Sequence, residues 1–129
     1  LPVPQGGLAV AFGYRIVLAT RTIGLSGDPG PGNALRAAAR GADLLVHESY
    51  PSVRLKPEAR PGGDAWPAYM HSVHTSDVEV GQLAVRANVK QVVLTHIVRM
   101  GGSDAELVGG VRRGGFRGLV AVARDLAAY

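Results

Sequence analysis

The chain of 129 residues contains no cysteine. This absence excludes disulfide bonds, thiolate metal sites and cysteine nucleophiles. The sequence also has no apolar run near the ~18–20 residues that a membrane helix needs. No amino-terminal stretch has the basic flank and apolar centre of a signal peptide. We therefore expect a cytoplasmic protein that has no membrane partner.

The composition is typical of one globular domain. Hydrophobic residues make up 47% of the chain, and a chain of this length can bury roughly two thirds of its surface. The net charge of +4 is carried mostly by arginine and would suit a polyanionic substrate. Because only Arg112 and Arg113 are adjacent among the basic residues, a solvated basic surface is favoured over a nucleic-acid groove.

Strand and helix patterns alternate along the chain. Five apolar segments predict strands, at Leu8–Ala19, Thr22–Gly27, Asp43–Val46, Gln91–Thr95 and Gly118–Ala123. The first two are predicted to pair antiparallel. Continuous apolar strands between amphipathic helices are typical of a sheet that helices cover. The sequence therefore predicts an α/β fold with a mixed sheet and flanking helices, in the order β-β-α-β-α-β-α-β.

Three helices are predicted between these strands. The first covers residues 32–42, where apolar side chains recur at helical spacing before a stop at Gly41. The other two begin with capping boxes at Ser76–Glu79 and Ser103–Glu106. Residues Ser49–Met70 contain four prolines and a Gly-Gly pair, which predict a long irregular loop. Trp66 and Tyr69 in this loop could line a pocket, but two buried anchors of a surface loop are the favoured interpretation.

Ionisable side chains follow four of the predicted strands. They are Asp28, the pair His47-Glu48, His96 and Asp125. Sites in α/β sheets form at the carboxyl edge of the strands, so these side chains could converge there. Each one alone also has a structural interpretation, as a turn residue or a satisfied core histidine. Histidine and carboxylate together are ligands that suit zinc.

Two further histidines, His71 and His74, lie just before the capped helix that starts at Ser76. Their spacing of three places them on one face only if the segment is helical. The dipole at the helix amino terminus disfavours a protonated His74. His74 can therefore be interpreted either as an acid–base group or as a plain loop residue. The glycine-rich segment Gly27–Gly32 could instead bind phosphate. It matches neither G-x-G-x-x-G nor a G-K-[ST] ending.

Three segments in order resemble the metallo-β-lactamase-fold hydrolases. The segment SGDPGPGNALRAAARGADLLVHES resembles the family's S-G-D-T, helix and A-D-L-L-V-H-E pattern. The segment HTSDVEVGQLAVRANVKQVVLTHI resembles its H-[ST]-[ST], helix and L-[TS]-H pattern, and FRGLVAVARDL resembles its closing strand. The resemblance starts at about Leu8 and is to the ribonuclease Z-like and arylsulfatase-like branches. It implies half of an αββα sandwich.

The resemblance also implies roles for four residues. Asp28 would bridge two metal ions, and His96 would complete the ligands of the second ion. His74 would be a proton donor supported by Glu48, whereas His47 and His71 inherit no role. The implied cofactor is zinc, two ions in a complete site, with manganese as an alternative. The implied reaction is hydrolysis of an anionic ester, such as an RNA phosphodiester or a sulfate ester, by metal-activated water.

Two departures from the family pattern stand out. Pro29 replaces the usual threonine and so removes a hydroxyl and a backbone donor beside Asp28. The chain also lacks the H-x-H-x-D-H motif, which supplies most metal ligands in the family. Residues 1–129, which begin without methionine, are therefore expected to form a single unit, the carboxy-terminal half of the domain. The missing motif would lie on an absent amino-terminal segment or on a second chain.

Three hypotheses follow from the sequence. The chain is part of a zinc-dependent hydrolase, or a catalytically incomplete scaffold or binding remnant, or a nucleotide-binding module that uses Gly27–Gly32. Upstream sequence with the missing motif would favour the first hypothesis over the second. An isolated half of a two-sheet sandwich would expose an apolar sheet face. We therefore expect a homo-oligomer.

Overall fold

The computed structural model describes residues 2, 11–28 and 33–129. Five strands occur in this part of the chain: β1 (Tyr14–Val17), β2 (Thr22–Leu25), β3 (Leu44–Ser49), β4 (Gln91–Ile97) and β5 (Leu119–Val122). Four α-helices accompany them: α1 (Asn33–Ala39), α2 (Trp66–Val73), α3 (Asp77–Arg86) and α4 (Asp104–Arg113). Two short 3₁₀ turns lie at Ser52–Arg54 and Gly63–Ala65. No helix among the described residues is long and apolar enough to cross a membrane.

The strands form one mixed sheet in the order β1-β2-β3-β4-β5. β1 pairs antiparallel with β2, and the pairs β2–β3, β3–β4 and β4–β5 are parallel. The predicted α/β class and mixed sheet are therefore confirmed. Each parallel connection passes through at least one helix, as parallel pairing requires. The carboxyl ends of β2, β3 and β4 consequently lie at the same edge of the sheet.

Several predicted boundaries differ from the structure. The first strand is limited to Tyr14–Val17, and part of the predicted Leu8–Ala19 strand lies outside the described residues. The interpretation of Ser49–Met70 as an irregular loop is wrong at its end, where α2 begins. Pro67 lies in the first turn of α2, where a missing backbone N–H leaves no helical bond unmade. The proline that suggested a loop is thus a helix-start residue.

One face of the sheet and three helices form the core. Helix α3 buries one face, since Val80, Ala84 and Ala87 are buried and Leu83 packs against them. They meet side chains of β3, β4 and α4, namely Leu45, Val92, Leu94, Leu107 and Val111. Both predicted capping boxes are also present, with Ser76 and Ser103 accepting the Glu79 and Glu106 N–H groups. The capping boxes therefore fix where α3 and α4 begin.

The opposite face of the sheet carries two rows that are apolar except for Gln91. The strand register places Ile16, Ile23, Leu44, Gln91 and Leu119 in one row, and Tyr14, Leu25, Val46, Val93 and Ala121 in the next. At the outer strands, Tyr14 and Leu119 are 57% and 70% exposed. This is the apolar face that the sequence led us to expect. Association of the chain through it remains a prediction.

Helices α3 and α4 pack backbone against backbone through glycine. A Cβ on Gly81 would lie 2.2 Å from the Val111 carbonyl oxygen, and one on Gly110 would lie 1.9 Å from the Asp77 carboxylate. Asp77 is fully buried at the start of α3, where its Oδ1 accepts the Ser52 and Val78 N–H groups at 3.1 and 2.8 Å. The glycines of α4 therefore leave room for a buried carboxylate that anchors the amino end of α3.

We predict that Gly110→Ala lowers the free energy of unfolding by about 2–3 kcal/mol, because the added methyl group overpacks against Asp77. Gly109→Ala in the same helix is the matched control. Its Cβ would meet only the Arg113 side chain at 3.5 Å, an ordinary contact, and alanine favours helix by up to about 1 kcal/mol. Urea unfolding measures both variants. Equal stability of the two would contradict the proposed packing.

Candidate metal and catalytic site

Asp28 follows β2 through a short segment that is tied to β3. Ser26 donates its N–H to the Val46 carbonyl oxygen at 2.9 Å, and its hydroxyl accepts the Glu48 N–H at 3.2 Å. Gly27 has φ +73°, and a Cβ there would lie 2.6 Å from the Phe12 carbonyl oxygen. Only glycine fits this conformation without strain. The Ser-Gly pair therefore has a structural reason to precede Asp28.

Glu48 is fully buried near the end of β3 and supports the segment that carries His74. Its Oε1 accepts the Thr75 N–H at 2.6 Å, and its Oε2 lies 3.3 Å from His74 Nδ1. His74 itself is the residue at which α2 ends, in an extended conformation, two residues before the N-cap Ser76. The imidazole is thus held between two helices, with its side chain 14% exposed.

His96 lies inside β4 rather than after it, which corrects the predicted strand end at Thr95. Glu48 pairs with Thr95 and Ser49 pairs with Ile97, so His96 is the extra residue of a β-bulge. Its φ of +42° is unusual for a residue other than glycine. Bulges of this kind re-aim a side chain, and they recur beside active sites. The histidine side chain is 57% exposed at this edge of the sheet.

Asp28, His74 and His96 converge at the carboxyl edge. Asp28 Oδ1 lies 3.0 Å from His74 Nδ1, and Asp28 Oδ2 lies 3.5 Å from His96 Nε2. One ligand atom from each residue lies within 4.8 Å of the other two. Among the described residues this is the one group of three such side chains that could hold a metal ion. The predicted convergence is therefore present, while the roles of the individual residues remain predictions.

Three other candidate residues lie elsewhere. Asp125 is exposed and outside the group, because β5 ends at Val122 and the chain continues beyond it into solvent. His71 is exposed, 3.8 Å from Glu79. His47 is fully buried, with Nδ1 2.7 Å from the Glu48 carbonyl oxygen, which agrees with a structural histidine. The proposed phosphate loop at Gly27–Gly32 lies mostly outside the described residues.

Burial controls the ionisation of two neighbouring side chains on β3. Desolvation raises the pKa of Glu48 to about 8, and the negative charge of Asp28 acts in the same direction against the Thr75 hydrogen bonds. Desolvation lowers the pKa of His47 to about 4, against the hydrogen bond to Glu48. Both groups are therefore mostly neutral at pH 7. A cation beside Asp28 would oppose the rise at Glu48.

Two supporting residues were missed by the sequence analysis. Ser26 and Thr75 hold Glu48 from either side, through the Ser26 hydroxyl and the Thr75 N–H. Both stand directly beside residues that had been singled out, in the S-G-D and H-T-S segments. The signal was present in these segments, but side-chain to backbone contacts between separate elements cannot be read from spacing.

Comparison with known proteins gives consistent relatives, although no family model matches the chain. A ribonuclease Z from Methanosarcina acetivorans is 35% identical over 109 residues, which are 81% of this chain and 32% of the relative. The metallo-β-lactamase-fold protein YhfI from Bacillus subtilis superposes with a TM-score of 0.72 at 21% identity, over 96% of this chain and 45% of its own. The short form of human tRNase Z superposes with a TM-score of 0.56 at 22% identity, over 92% of this chain and 36% of its own.

The chain is a ribonuclease Z-like part of the metallo-β-lactamase fold. The resemblance seen in the S-G-D, H-T-S and L-T-H segments is therefore confirmed, as is half of a metallo-β-lactamase-type sandwich. The curated relatives carry the name of a hydrolytic enzyme. This chain spans only about a fifth to a third of the length of the curated relatives it matches. It also spans less than half of the two solved structures.

We predict that His47 makes the protein less stable as the pH falls from 6.5 to about 4. The unfolded chain binds a proton on this histidine below its ordinary pKa of 6.5, whereas the folded chain does so only near 4. This difference removes up to about 3 kcal/mol of stability across that window. Glu48 acts oppositely, because its raised pKa removes stability as the pH rises from 4.5 to about 8.

The variant His47→Asn isolates the histidine contribution, since an amide can still donate to the Glu48 carbonyl oxygen. In this variant the free energy of unfolding should decrease less as the pH falls, as measured by urea unfolding at several pH values. His71→Asn, which removes an exposed histidine, is the control. An equal change of slope in both variants would contradict the assignment to buried His47.

Proposed function

We propose that this chain supplies part of the active site of a zinc-dependent hydrolase that cleaves RNA phosphodiester bonds. The observation that carries the proposal is the convergence of Asp28, His74 and His96 from three separate elements, with buried Glu48 behind His74. The ribonuclease Z relative from Methanosarcina acetivorans, which matches 81% of this chain, supports the same reaction.

The donor set fits a borderline-soft metal ion. Carboxylate and imidazole groups are the common zinc ligands, and the Asp28, His74 and His96 donor atoms lie close enough to share an ion. In this proposal Asp28 and His96 would hold metal. When bound, zinc supplies Lewis-acid polarisation of a phosphoryl oxygen and a lowered pKa for a coordinated water. Manganese is the alternative ion.

Two ligands are too few for two metal ions. Catalytic zinc sites have three protein ligands for each ion and an open position. The remaining ligands would come from an H-x-H-x-D-H motif on another part of a longer protein or on a second chain. The short share of each relative that this chain covers is consistent with such a division.

His74 is the proposed proton donor to the leaving oxygen. Its Nδ1 lies 3.0 Å from Asp28 and 3.3 Å from Glu48, which leaves Nε2 to face substrate. Glu48 is the positioning residue, since the Thr75 N–H fixes one carboxyl oxygen and the other meets the imidazole. Holding Nδ1 in this way selects the tautomer and the ring orientation. A positioned acid of this kind typically contributes ~10²–10⁴-fold to the rate.

RNA is favoured over the sulfate esters that the sequence also allowed. The curated relatives bear the name ribonuclease Z, and one of the similar solved structures is the short form of human tRNase Z. The net charge of +4 suits a polyanion. Precursor transfer RNA is the specific substrate we propose.

Zinc binding to the chain should depend on Asp28 and His96. We expect Asp28→Ala and His96→Ala each to weaken zinc binding at least tenfold, because each removes one of very few ligands. Asp125→Ala and His71→Ala remove the same residue types outside the site and should bind zinc like the parent chain. Calorimetric titration with zinc and metal analysis measure this. Equal losses in the control variants would contradict the assignment, whereas no zinc binding by the parent chain would mean that two ligands alone are too few.

Catalysis should depend on His74 once the missing ligands are supplied. We expect the chain, combined with a segment that carries H-x-H-x-D-H, to cleave precursor transfer RNA. His74→Ala should lower kcat about 10²–10⁴-fold with little change in zinc content. Glu48→Gln should lower kcat less, and His71→Ala should leave it unchanged. A zinc-loaded complex without cleavage would instead support the catalytically incomplete scaffold.

A further inference from the structure

A cleft outside the cluster of Asp28, His74 and His96 combines aromatic and basic side chains. Its volume is about 610 Å³, and its walls include Arg54, Lys56, Arg60, Trp66 and Met100. The proposed mechanism uses none of these residues. The cleft lies in the segment predicted to be an irregular loop, so its shape could not be anticipated from the sequence.

Trp66 is the aromatic residue that lines the cleft, and Tyr69 stacks against it beside the cleft. The Trp66 and Tyr69 rings lie 5.7 Å apart with 25° between their planes. Tyr69 is 55% exposed and Trp66 is half-buried, whereas Met70 is the residue of α2 that is fully buried. The favoured interpretation of Trp66 and Tyr69 as buried anchors is therefore wrong. An exposed pair of stacked rings is a platform on which a further planar ring can stack.

The positive charge of the cleft is concentrated on Lys56. Arg54 Nε and Nη2 lie 3.0 and 2.8 Å from Glu106 Oε1, and Arg60 pairs with Glu58. Within residues 33–129, Lys56 has no acidic partner and is exposed. An anion that enters the cleft therefore meets one uncompensated ammonium group beside the aromatic pair.

The wall that carries Lys56 is preformed. The Glu58 N–H donates to the Gly63 carbonyl oxygen at 2.9 Å, and the Gly63 N–H donates to the Arg60 carbonyl oxygen at 2.9 Å. A Cβ on Gly63 would lie 2.2 Å from the Glu58 carbonyl oxygen, so the turn closes tightly on itself. A loop fixed by its own hydrogen bonds loses little entropy when a ligand binds.

The cleft is connected directly to the elements of the site. Trp66 begins α2 and His74 ends it, which separates them by about 12 Å along an eight-residue helix. Arg54 follows Glu48 by six residues, and Met100 follows His96 by four. One strand of RNA could therefore reach both places.

We infer that this cleft binds a nucleotide of single-stranded RNA, with its base stacked on Trp66, which Tyr69 backs, and its phosphate beside Lys56. The identity of the ligand rests on the proposed function, whereas the stacking platform and the free ammonium group do not. A base offers the flat ring and the adjacent phosphate offers the negative charge that this pair of features recognises. An acidic peptide offers charge without the ring and is the less favoured occupant.

The sole tryptophan of the chain reports directly on this cleft. Titration of the full chain with a single-stranded oligoadenylate, without metal, should quench Trp66 fluorescence to saturation. Trp66→Ala should weaken binding about 5–100-fold, as measured by anisotropy of labelled RNA. Lys56→Gln should weaken it several-fold and lower the salt dependence by about one phosphate contact. Circular dichroism verifies that each variant is folded.

Lys90→Gln is the matched control, since Lys90 is the other lysine of the chain and precedes β4 at the opposite edge of the sheet. It should bind RNA like the parent chain. The inference is overturned if RNA leaves Trp66 fluorescence unchanged, or if Trp66→Ala binds RNA like the parent. Polyglutamate or inorganic polyphosphate that quenches Trp66 as strongly as RNA would also overturn it.

The result of this RNA titration is independent of the tests of the proposed hydrolase activity. Failure to bind zinc or to cleave RNA would leave a Trp66-dependent RNA titration intact. Conversely, the complemented chain could cleave RNA while Trp66→Ala changes neither KM nor RNA binding. That result would support the proposed function and show that the cleft takes no part in it.

Discussion

The parallel register of β2, β3 and β4 is the constraint on which the rest of the site depends. It brings three chain segments that are distant in sequence to one edge, and Asp28, Glu48 and His96 lie near the carboxyl ends of these strands. The contact between the Ser26 hydroxyl and the Glu48 N–H extends this pairing past the end of β2. Asp28 is therefore positioned by strand pairing, and a slip of one residue would turn it away from both histidines.

The second element of this arrangement is the buried carboxyl group of Glu48. A charged carboxyl group is unfavourable at a position that is shielded from solvent. A purely structural position would be served better by an apolar side chain, as in the neighbouring core. Here one carboxyl oxygen holds the Thr75 backbone and the other meets His74. The packing of α3 on α4 through Gly110 and Asp77 fixes the same segment from the other side. Stability and site geometry are thus linked through residues 74–77.

Much of this fold could be predicted from local signals. Both capping boxes, the apolar strands and the mixed sheet follow from residue types at fixed spacing, and these features are local. The bulge at His96 could not be predicted, because it arises from the pairing of two strands rather than from either strand alone. Helix α2 was missed since its proline resembles a loop signal. We expected ionisable side chains to converge at this edge, but the sequence alone could not tell which of them would meet. Asp125 shows this, because it follows β5 and yet lies outside the group of Asp28, His74 and His96.

The asymmetry of the sheet explains why the candidate site lies at an edge of the core. Helices cover one face, and that face carries the hydrophobic core. The opposite face presents apolar rows whose outer members are exposed. The candidate ligands lie at the edge between these two faces rather than within either. A second layer that covered the apolar rows would therefore end beside Asp28 and His96, and could complete their coordination without rearranging the core. The proposed division of metal ligands between this chain and a second layer would thus follow from where the edge lies.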